Sequence, residues 1–157
     1  MLADCLSRAI RFPDYWPADV GRFWLQARRS LEGNNWDAAA VMARSALQLS
    51  ARLNGAAGSN LKQEINDLGE KGLLPPIMVE WSHEVRELGN DSAHPAAGSA
   101  GASAADAKDI VEFLTTMLTF LYQIPHQIIK LLNTGSEKRH KQNERELSAA
   151  LAKLQLH

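Results

Sequence analysis

Apolar residues recur at spacings of three and four along most of the chain, which is the period of an amphipathic α-helix. Proline, glycine and asparagine divide this pattern into segments, because these residues begin or end helices. The predicted helices run from after Pro17 to Gly33, from Trp36 to Leu53, from after Asn60 to Gly69, from Pro75-Pro76 onward, and from after Ser103 to Ile124. No strand-like alternation competes with them. The pattern predicts an all-α bundle of about five or six helices, with an extra helix at the C-terminus.

The fourth predicted helix separates its apolar and polar residues onto two faces. At about 100° per residue, each face collects residues three or four positions apart. The core face would carry Ile77, Trp81, Val85 and Leu88, and the opposite face His83, Arg86 and Asn90, with His94 following within four residues. A solvent-facing surface normally carries lysine and glutamate, whereas this one offers imidazole, guanidinium and carboxamide groups. These groups can together bind or transform an anion.

The pattern changes near the C-terminus. Pro125 should kink or restart the long helix, and after Gly135 the chain becomes polar with an excess of basic residues. Leu147, Leu151 and Leu154 then restore a thin apolar seam. We therefore predict an N-terminal helical lead-in over residues 1–16, a helical domain over 17–134 and a charged helix over 135–157. That last helix is either solvated with slight docking or an arm that contacts a partner or RNA.

Composition limits the function. The chain has 157 residues and 45% hydrophobic content, enough for one buried core, and its 17 basic and 18 acidic residues nearly balance. The single cysteine, Cys5, cannot form an internal disulfide, and residues 1–12 lack the apolar run of a signal peptide. No run is long enough to span a membrane. We expect a cytoplasmic protein with no cofactor and no metal, because His126 and His140 lack partners at metal-ligand spacing.

Four segments carry a resemblance to a known family. They are Trp36 to Leu47, the apolar positions Leu61, Ile65 and Leu68, the run Gly72 to Pro75, and above all Val85 to His94. In these segments the chain resembles the bacterial "domain of unknown function 4145" family, which is grouped with the HEPN superfamily of helical domains. The resemblance covers Pro17 to Leu132, and it implies an HEPN-like helical bundle.

The resemblance also implies a site and an activity. Members of the family occur alone or fused to restriction and other defence proteins. The wider superfamily includes metal-independent RNases that act as paired protomers, with an arginine and a histidine of each in a shared cleft. Carried over by motif position, the implied catalytic residues are Arg86, Asn90 and His94. His83 lies one turn before Arg86 and is a neighbouring candidate for binding.

The chemistry of RNA cleavage suits these residues. Attack of a 2'-hydroxyl on the adjacent phosphate needs a base with a pKa near neutral, which histidine provides at about 6.5. The guanidinium of Arg86 can hold a phosphate through two parallel hydrogen bonds, and Asn90 can orient the ribose or the histidine. The chain departs from the catalytic pattern, however. Seven residues separate Arg86 from His94, more than in those RNases, and Gly89 should end the helix before His94.

The alternative interpretation of the same residues is structural. Arg86 and Asn90 would tie the helix end to the following loop by hydrogen bonds, and His94 would pack before Pro95 and bind a carbonyl group. Arg44 is a second binding candidate, but it lies on an alanine-rich helix. A buried arginine there usually pairs with a carboxylate, so Asp37 or Glu64 is its expected partner.

The expected function follows from the resemblance and the polar motif. We expect a small cytoplasmic accessory or effector protein of a bacterial defence or stress system, working as a homodimer. A non-catalytic interaction module is favoured, with a protein partner from a defence or toxin–antitoxin system. The alternative is a metal-independent RNase that uses Arg86 and His94 at a dimer cleft, with RNA as its substrate. No membrane association is expected.

Overall fold

A computed structural model describes residues 11–85, residue 88 and residues 101–154, and from residue 150 onward it describes the backbone alone. Six α-helices and one π-helical turn make up the secondary structure of these residues, and no strand occurs among them. The helices are α1 (Ala18–Glu32), α2 (Trp36–Leu53), α3 (Leu61–Glu70), α4 (Pro76–Glu84), α5 (Ala104–Leu118) and α6 (Ile124–Leu154), with the π turn at Thr119–Gln123. The all-α prediction is confirmed. Residues 11–16, at the end of the predicted helical lead-in, form turns.

Helix α2 lies at the centre of the core and contacts α1, α5 and α3. Its inner face is built from small side chains, because Ala39, Ala43 and Ala46 are fully buried and Ala40 is nearly so. Such short side chains let neighbouring helices approach closely. Large buried residues of the other helices, among them Phe113, Leu114 and Met117 of α5, fill the remaining volume of the core.

The helix boundaries follow the capping chemistry of the sequence with one exception. The Asn60 side chain accepts a hydrogen bond from the Gln63 amide at 3.0 Å, and Ser103 with Asp106 forms a full capping box. Asn35 occupies the N-cap position of α2, where asparagine normally caps a helix, and it is the exception. Its side chain makes no cap hydrogen bond, because the α1–α2 turn is held by backbone bonds, including one from the Asn35 amide to the Ser30 carbonyl at 2.8 Å.

Helices α3 and α4 pack together at Gly69. A methyl group added at this glycine would lie 2.5 Å from Cγ2 of Val79, so only glycine allows this approach. After α3 the chain turns at Gly72, whose φ of +72° favours glycine. Pro75 then adopts an extended conformation and Pro76 takes the first position of α4, where the missing amide has no cost.

Pro125 sets the boundary between α5 and α6. A proline inside a helix removes one hydrogen bond and clashes with the carbonyl four residues before it, which here belongs to Leu121. The wider π turn over Thr119–Gln123 lies around that carbonyl, and α6 begins at Ile124. The sequence predicted a kink or a restart at Pro125; the structure shows a change from α to π hydrogen bonding in the turn before it, and the helix continues through the proline. Tyr122 at the end of the π turn accepts a hydrogen bond from the Asn54 amide at 2.9 Å, and burial raises the pKa of its hydroxyl.

Gly135 does not begin a separate helix. The structure carries α6 without interruption from Ile124 to Leu154, whereas the sequence predicted a new C-terminal helix after Gly135. A glycine in a helix interior costs only about 1 kcal/mol, which need not break a long helix that has good helix formers before Asn133 and after Ser136. Gly135 has open space around it, so no packing contact demands a glycine there.

The chain divides into two units, Met1–Tyr122 and Gln123–His157. The second unit is α6, and its described side chains from Pro125 to Ala149 are exposed to solvent, apart from the intermediate position of Gly135. The exposed side chains include five large aliphatic residues, which are Ile128, Ile129, Leu131, Leu132 and Leu147. Within the described part of the chain, no helix has the length and hydropathy required to cross a membrane.

Replacing Gly135 and Gly69 by alanine should have opposite effects. Gly135→Ala should stabilise α6 by about 0.5 to 1 kcal/mol and slow amide exchange around residue 135 about two- to fivefold, because alanine loses less entropy in a helix. Gly69→Ala, the matched control, should destabilise the first unit by about 1 to 3 kcal/mol through its clash with Val79. Hydrogen exchange and thermal melting measure both. Faster exchange near residue 135 in Gly135→Ala would contradict a continuous α6.

Candidate functional site

The motif that the sequence placed on one helix begins on α4 and continues beyond it. Helix α4 ends at Glu84, and Val85 adopts an extended conformation with φ −73° and ψ 103°. Val85 and Leu88 are nevertheless buried, with 2% and 1% of their surfaces exposed. The Leu88 amide also donates a hydrogen bond to the Val85 carbonyl at 3.1 Å. Two apolar anchors therefore hold the chain to the core just after the helix.

The predicted core stripe of this helix is partly wrong. Met78 and Ser82 are the buried residues of α4, Trp81 is half-buried, and Ile77 is 67% exposed. The prediction assumed a helix that continued to Gly89. Because α4 ends five residues earlier, Val85 reaches the core through an extended backbone, and helical phase no longer links it to Ile77. Burial of Val85 and Leu88 was predicted correctly, but for a different backbone.

The sequence-predicted site residues fall into two groups. His83 is exposed on the last turn of α4, and Arg44 is half-buried on α2. Arg86, Asn90 and His94 lie outside the described residues. Their expected meeting at one anion site therefore stays a prediction. Of the three residues predicted to share one helix face, only His83 lies on α4, which ends at Glu84; the placement of Arg86 and Asn90 stays a prediction.

Glu64 has an ion-pair partner that sequence reasoning missed. Arg52 donates from Nε to Oε1 of Glu64 at 2.8 Å, whereas from the sequence Glu64 was only one of two possible partners of Arg44, with Asp37 the other. The carboxylate is 2% exposed, and its Oε2 atom has no hydrogen-bond partner among the described residues. The signal in the sequence was the position of Arg52 in the last turn of α2, next to the turn that leads into α3. A cation near a helix C-terminus is also favoured by the helix dipole.

Asp37 positions the loop before α5. Its Oδ1 atom accepts a hydrogen bond from the Ala102 amide at 2.7 Å. A methyl group added at Gly101 would lie 2.6 Å from the same oxygen, so the glycine allows the loop to approach α2. The contact links the first turn of α2 to the residues that cap α5.

An open depression in the surface of the first unit lies around Trp81. Two adjoining depressions of about 650 Å³ and 610 Å³ share Trp81 and Thr116, and we call them together the Trp81 groove. The first is bounded by α1, the start of α2 and α5, and it contains Trp36. The second lies between α4, α5 and the π turn, and it contains Ile77 and Phe120.

Trp81 packs against the core through Phe113. Its ring meets the fully buried ring of Phe113 edge to face, with 5.2 Å between centroids. The threonine hydroxyls beside it are already satisfied: Thr115 donates to the Val111 carbonyl and accepts from the Trp24 indole, and Thr116 donates to the Glu112 carbonyl. The groove consequently offers apolar surface, with few free polar groups on its floor.

The charged residues of the groove lie on its rim, and only some of them have a described ion-pair partner. Arg28 lies 4.0 Å from Glu32, and Lys108 lies 3.9 Å from Glu112. Glu80 and Glu84, one turn apart on α4, are exposed and have no cation within ion-pair distance among the described residues. The second depression is therefore an apolar surface with an acidic edge that no described cation neutralises.

The described residues contain no group of three or more side chains able to hold a metal ion. Arg86, Asn90 and His94, the catalytic residues that the resemblance implies, fall outside the described residues. What the described surface offers chemically is an apolar groove with charged edges. Such surfaces bind amphipathic helices.

Comparison with protein families identifies the chain. The family model described as "Domain of unknown function (DUF4145)" matches residues 25–145, which is most of the chain. The chain belongs to this family. The match begins in α1 and extends into α6, so the family's domain includes every element that lines the Trp81 groove. A search of curated proteins and a search of solved structures each found no match.

The Arg52–Glu64 pair should matter for stability although Arg52 is exposed. Arg52→Ala leaves a buried carboxylate without its cation, which should lower the free energy of unfolding by about 1 to 3 kcal/mol. The matched control is Arg22→Ala, because the Arg22–Asp19 pair is exposed on both sides and should contribute less than about 0.5 kcal/mol. Urea unfolding of both variants decides this. Equal losses of unfolding free energy in the two variants would show that burial of Glu64 does not strengthen the Arg52–Glu64 pair.

Proposed function

We propose that this protein is a small, dimeric, non-catalytic interaction module. It would act as an accessory or effector protein in the cytoplasm of bacteria, in a defence or stress system, with an HEPN-like bundle as its fold. The observation that carries the proposal is the Trp81 groove, which has an apolar floor, satisfied threonine hydroxyls and two rim glutamates, Glu80 and Glu84, without a described cation partner. Such a surface suits binding of a helix and offers little for chemical conversion of a small polar substrate.

The composition of α6 supports the same proposal. Four of its large aliphatic side chains, Ile128, Ile129, Leu131 and Leu132, are between 51% and 72% exposed. An amphipathic helix gains most of its stability from burying its apolar face, and a contiguous exposed apolar patch marks an interaction site. The chain thus carries two apolar surfaces that an assembly would cover. The family match adds no activity, because the matched domain is one of unknown function.

A second candidate function is a metal-independent RNase. The observation that favours it is the exposed imidazole of His83 on the last turn of α4, directly before the Arg86 motif. In this candidate His83 is a neighbouring binding group, while His94 and Arg86 supply the base and the cation that phosphodiester cleavage needs. Arg86, Asn90 and His94 would be the catalytic residues, in a cleft shared by two protomers, and Arg44 would be a further anion-binding cation.

The assembly state tests the first candidate. Sedimentation of the full chain at micromolar concentrations should report a dimer that dissociates on dilution, because exposed apolar surfaces drive association. Addition of ribonuclease should leave the dimer unchanged, since protein surfaces and not RNA hold it together. A monomer over the whole concentration range would contradict the dimeric module.

RNA cleavage separates the two candidates. We expect wild type, Arg86→Ala and His94→Ala to leave single-stranded and structured RNA equally intact. On the structural interpretation of the motif, the two variants should also lose about 1 to 3 kcal/mol of stability, because each would leave a hydrogen-bond partner unsatisfied. His83→Ala is the control, and its exposure predicts unchanged stability. Cleavage by wild type that both variants abolish without any change in melting temperature would establish the RNase instead.

A further inference from the structure

The acidic rim and the floor of the Trp81 groove follow a fixed spacing along α4. Ile77 and Trp81 lie one turn apart, and Glu84 lies seven residues after Ile77, on the same side of the helix. Seven residues of helix span about 10.5 Å. The groove therefore presents an apolar area followed, two turns later, by a carboxylate that no described cation neutralises.

Helix α6 carries the complementary pattern at the same spacing. Leu131 and Leu132 are exposed, and each is followed seven residues later by a basic side chain, Lys138 and Arg139. Ile128 lies on the same face, one turn before Leu132. Neither Lys138 nor Arg139 has an ion-pair partner among the described residues, whereas the nearby His140 pairs with Glu144 at 3.2 Å.

We infer that the Trp81 groove is the docking site for α6 of a second copy of this chain. Ile128, Leu131 and Leu132 of one copy cover Ile77 and the exposed edge of Trp81 in the other. Lys138 and Arg139 then reach Glu84, with α6 of one copy running parallel to α4 of its partner. The exchange is reciprocal, so each copy donates one helix and one groove. This inference rests on the proposed dimeric module and specifies how its two copies join.

Charge complementarity favours α6 of a second copy as the occupant of the groove over groove–groove or α6–α6 pairing. The groove's lining residues include four carboxylates and two cations, and both cations already lie beside a glutamate. Two copies of the groove facing each other would bring Glu80 and Glu84 of both copies together, which is unfavourable. Two copies of α6 paired at their middles would likewise bring basic residues together. Groove against α6 is the pairing in which both the apolar areas and the charges match.

Mixing two variants tests the reciprocal exchange. Ile77→Asp damages the groove and Leu131→Asp damages α6, and both side chains are largely exposed, so the fold should survive each change. Alone, each variant should have a dimer dissociation constant at least tenfold above wild type, because both of its contacts are damaged. An equimolar mixture should associate more tightly than either, since one intact groove meets one intact helix. Leu53→Asp, an exposed position outside the groove and α6, is the matched control.

Exchanging the charges of Glu84 and Arg139 tests the proposed contact between the groove rim and α6. Glu84→Arg and Arg139→Glu should each weaken the dimer several-fold, and the double variant should recover most of the loss. Lys130→Glu, an exposed position about 160° around α6 from Ile128 and Leu132, should change little. These effects should shrink at high salt.

The outcomes distinguish this inference from the proposed function. If wild type is a dimer and neither Ile77→Asp nor Leu131→Asp weakens it, the reciprocal exchange is overturned. The proposed dimeric module is unaffected by that result. If both variants dimerise more weakly than wild type and the mixture associates no more tightly than either one, the reciprocal exchange is also overturned. A wild-type monomer at every concentration overturns the dimer and the exchange together, and RNA cleavage that depends on Arg86 and His94 overturns only the non-catalytic function.

Discussion

The packing of α2 against its neighbours is the constraint on which the first unit depends. Ala39, Ala43 and Ala46 have no exposed surface, so the helices beside them lie at backbone-limited distances. A larger side chain at any of these positions would have to push α1 or α5 outward, and overpacking of this kind costs about 1 to 3 kcal/mol. Asp37 extends the constraint, because its hydrogen bond to Ala102 fixes where α5 begins.

The position of α5 in turn determines the groove. One side of α5 carries Phe113, Leu114 and Met117 into the core, and the adjacent stripe with Thr115 and Thr116 remains at the surface. Trp81 lies over this boundary, with its ring against Phe113. The groove is therefore a consequence of how α4 meets α5, and its apolar floor results from threonines whose hydroxyls bind their own helix.

The sequence predicted the helical elements well because their signals are local. Asn60, the Ser103–Asp106 pair and Pro76 each act on residues within one turn, and all three act as expected. The errors arose where tertiary contacts decide. Continuation of α4 to Gly89 looked favourable from periodicity, but burial of Val85 and Leu88 is achieved with an extended backbone after Glu84. Ile77 is exposed because α4 turns Met78 and Ser82 toward the core instead.

The candidate site was harder to predict than the fold. The polar residues Arg86, Asn90 and His94 are easy to recognise in the sequence, because their side chains are unusual on a predicted helix of a small bundle. An apolar groove has no such signature, since Trp81, Ile77 and Phe120 look like ordinary core residues until the structure places them at the surface. Arg52 was missed as the partner of Glu64 for a related reason: the contact joins two helices, and spacing along one helix cannot reveal it.

The most direct test of the account is chemical cross-linking of mixed heavy-isotope and normal copies with a carbodiimide, which joins lysine amines to carboxylates in contact. The account predicts cross-linked peptides with one heavy and one normal half, joining Lys138 of α6 to Glu84 or Glu80 of α4. Cross-links of Lys138 that occur only within one copy, or only to carboxylates of the other copy's α6, would contradict it.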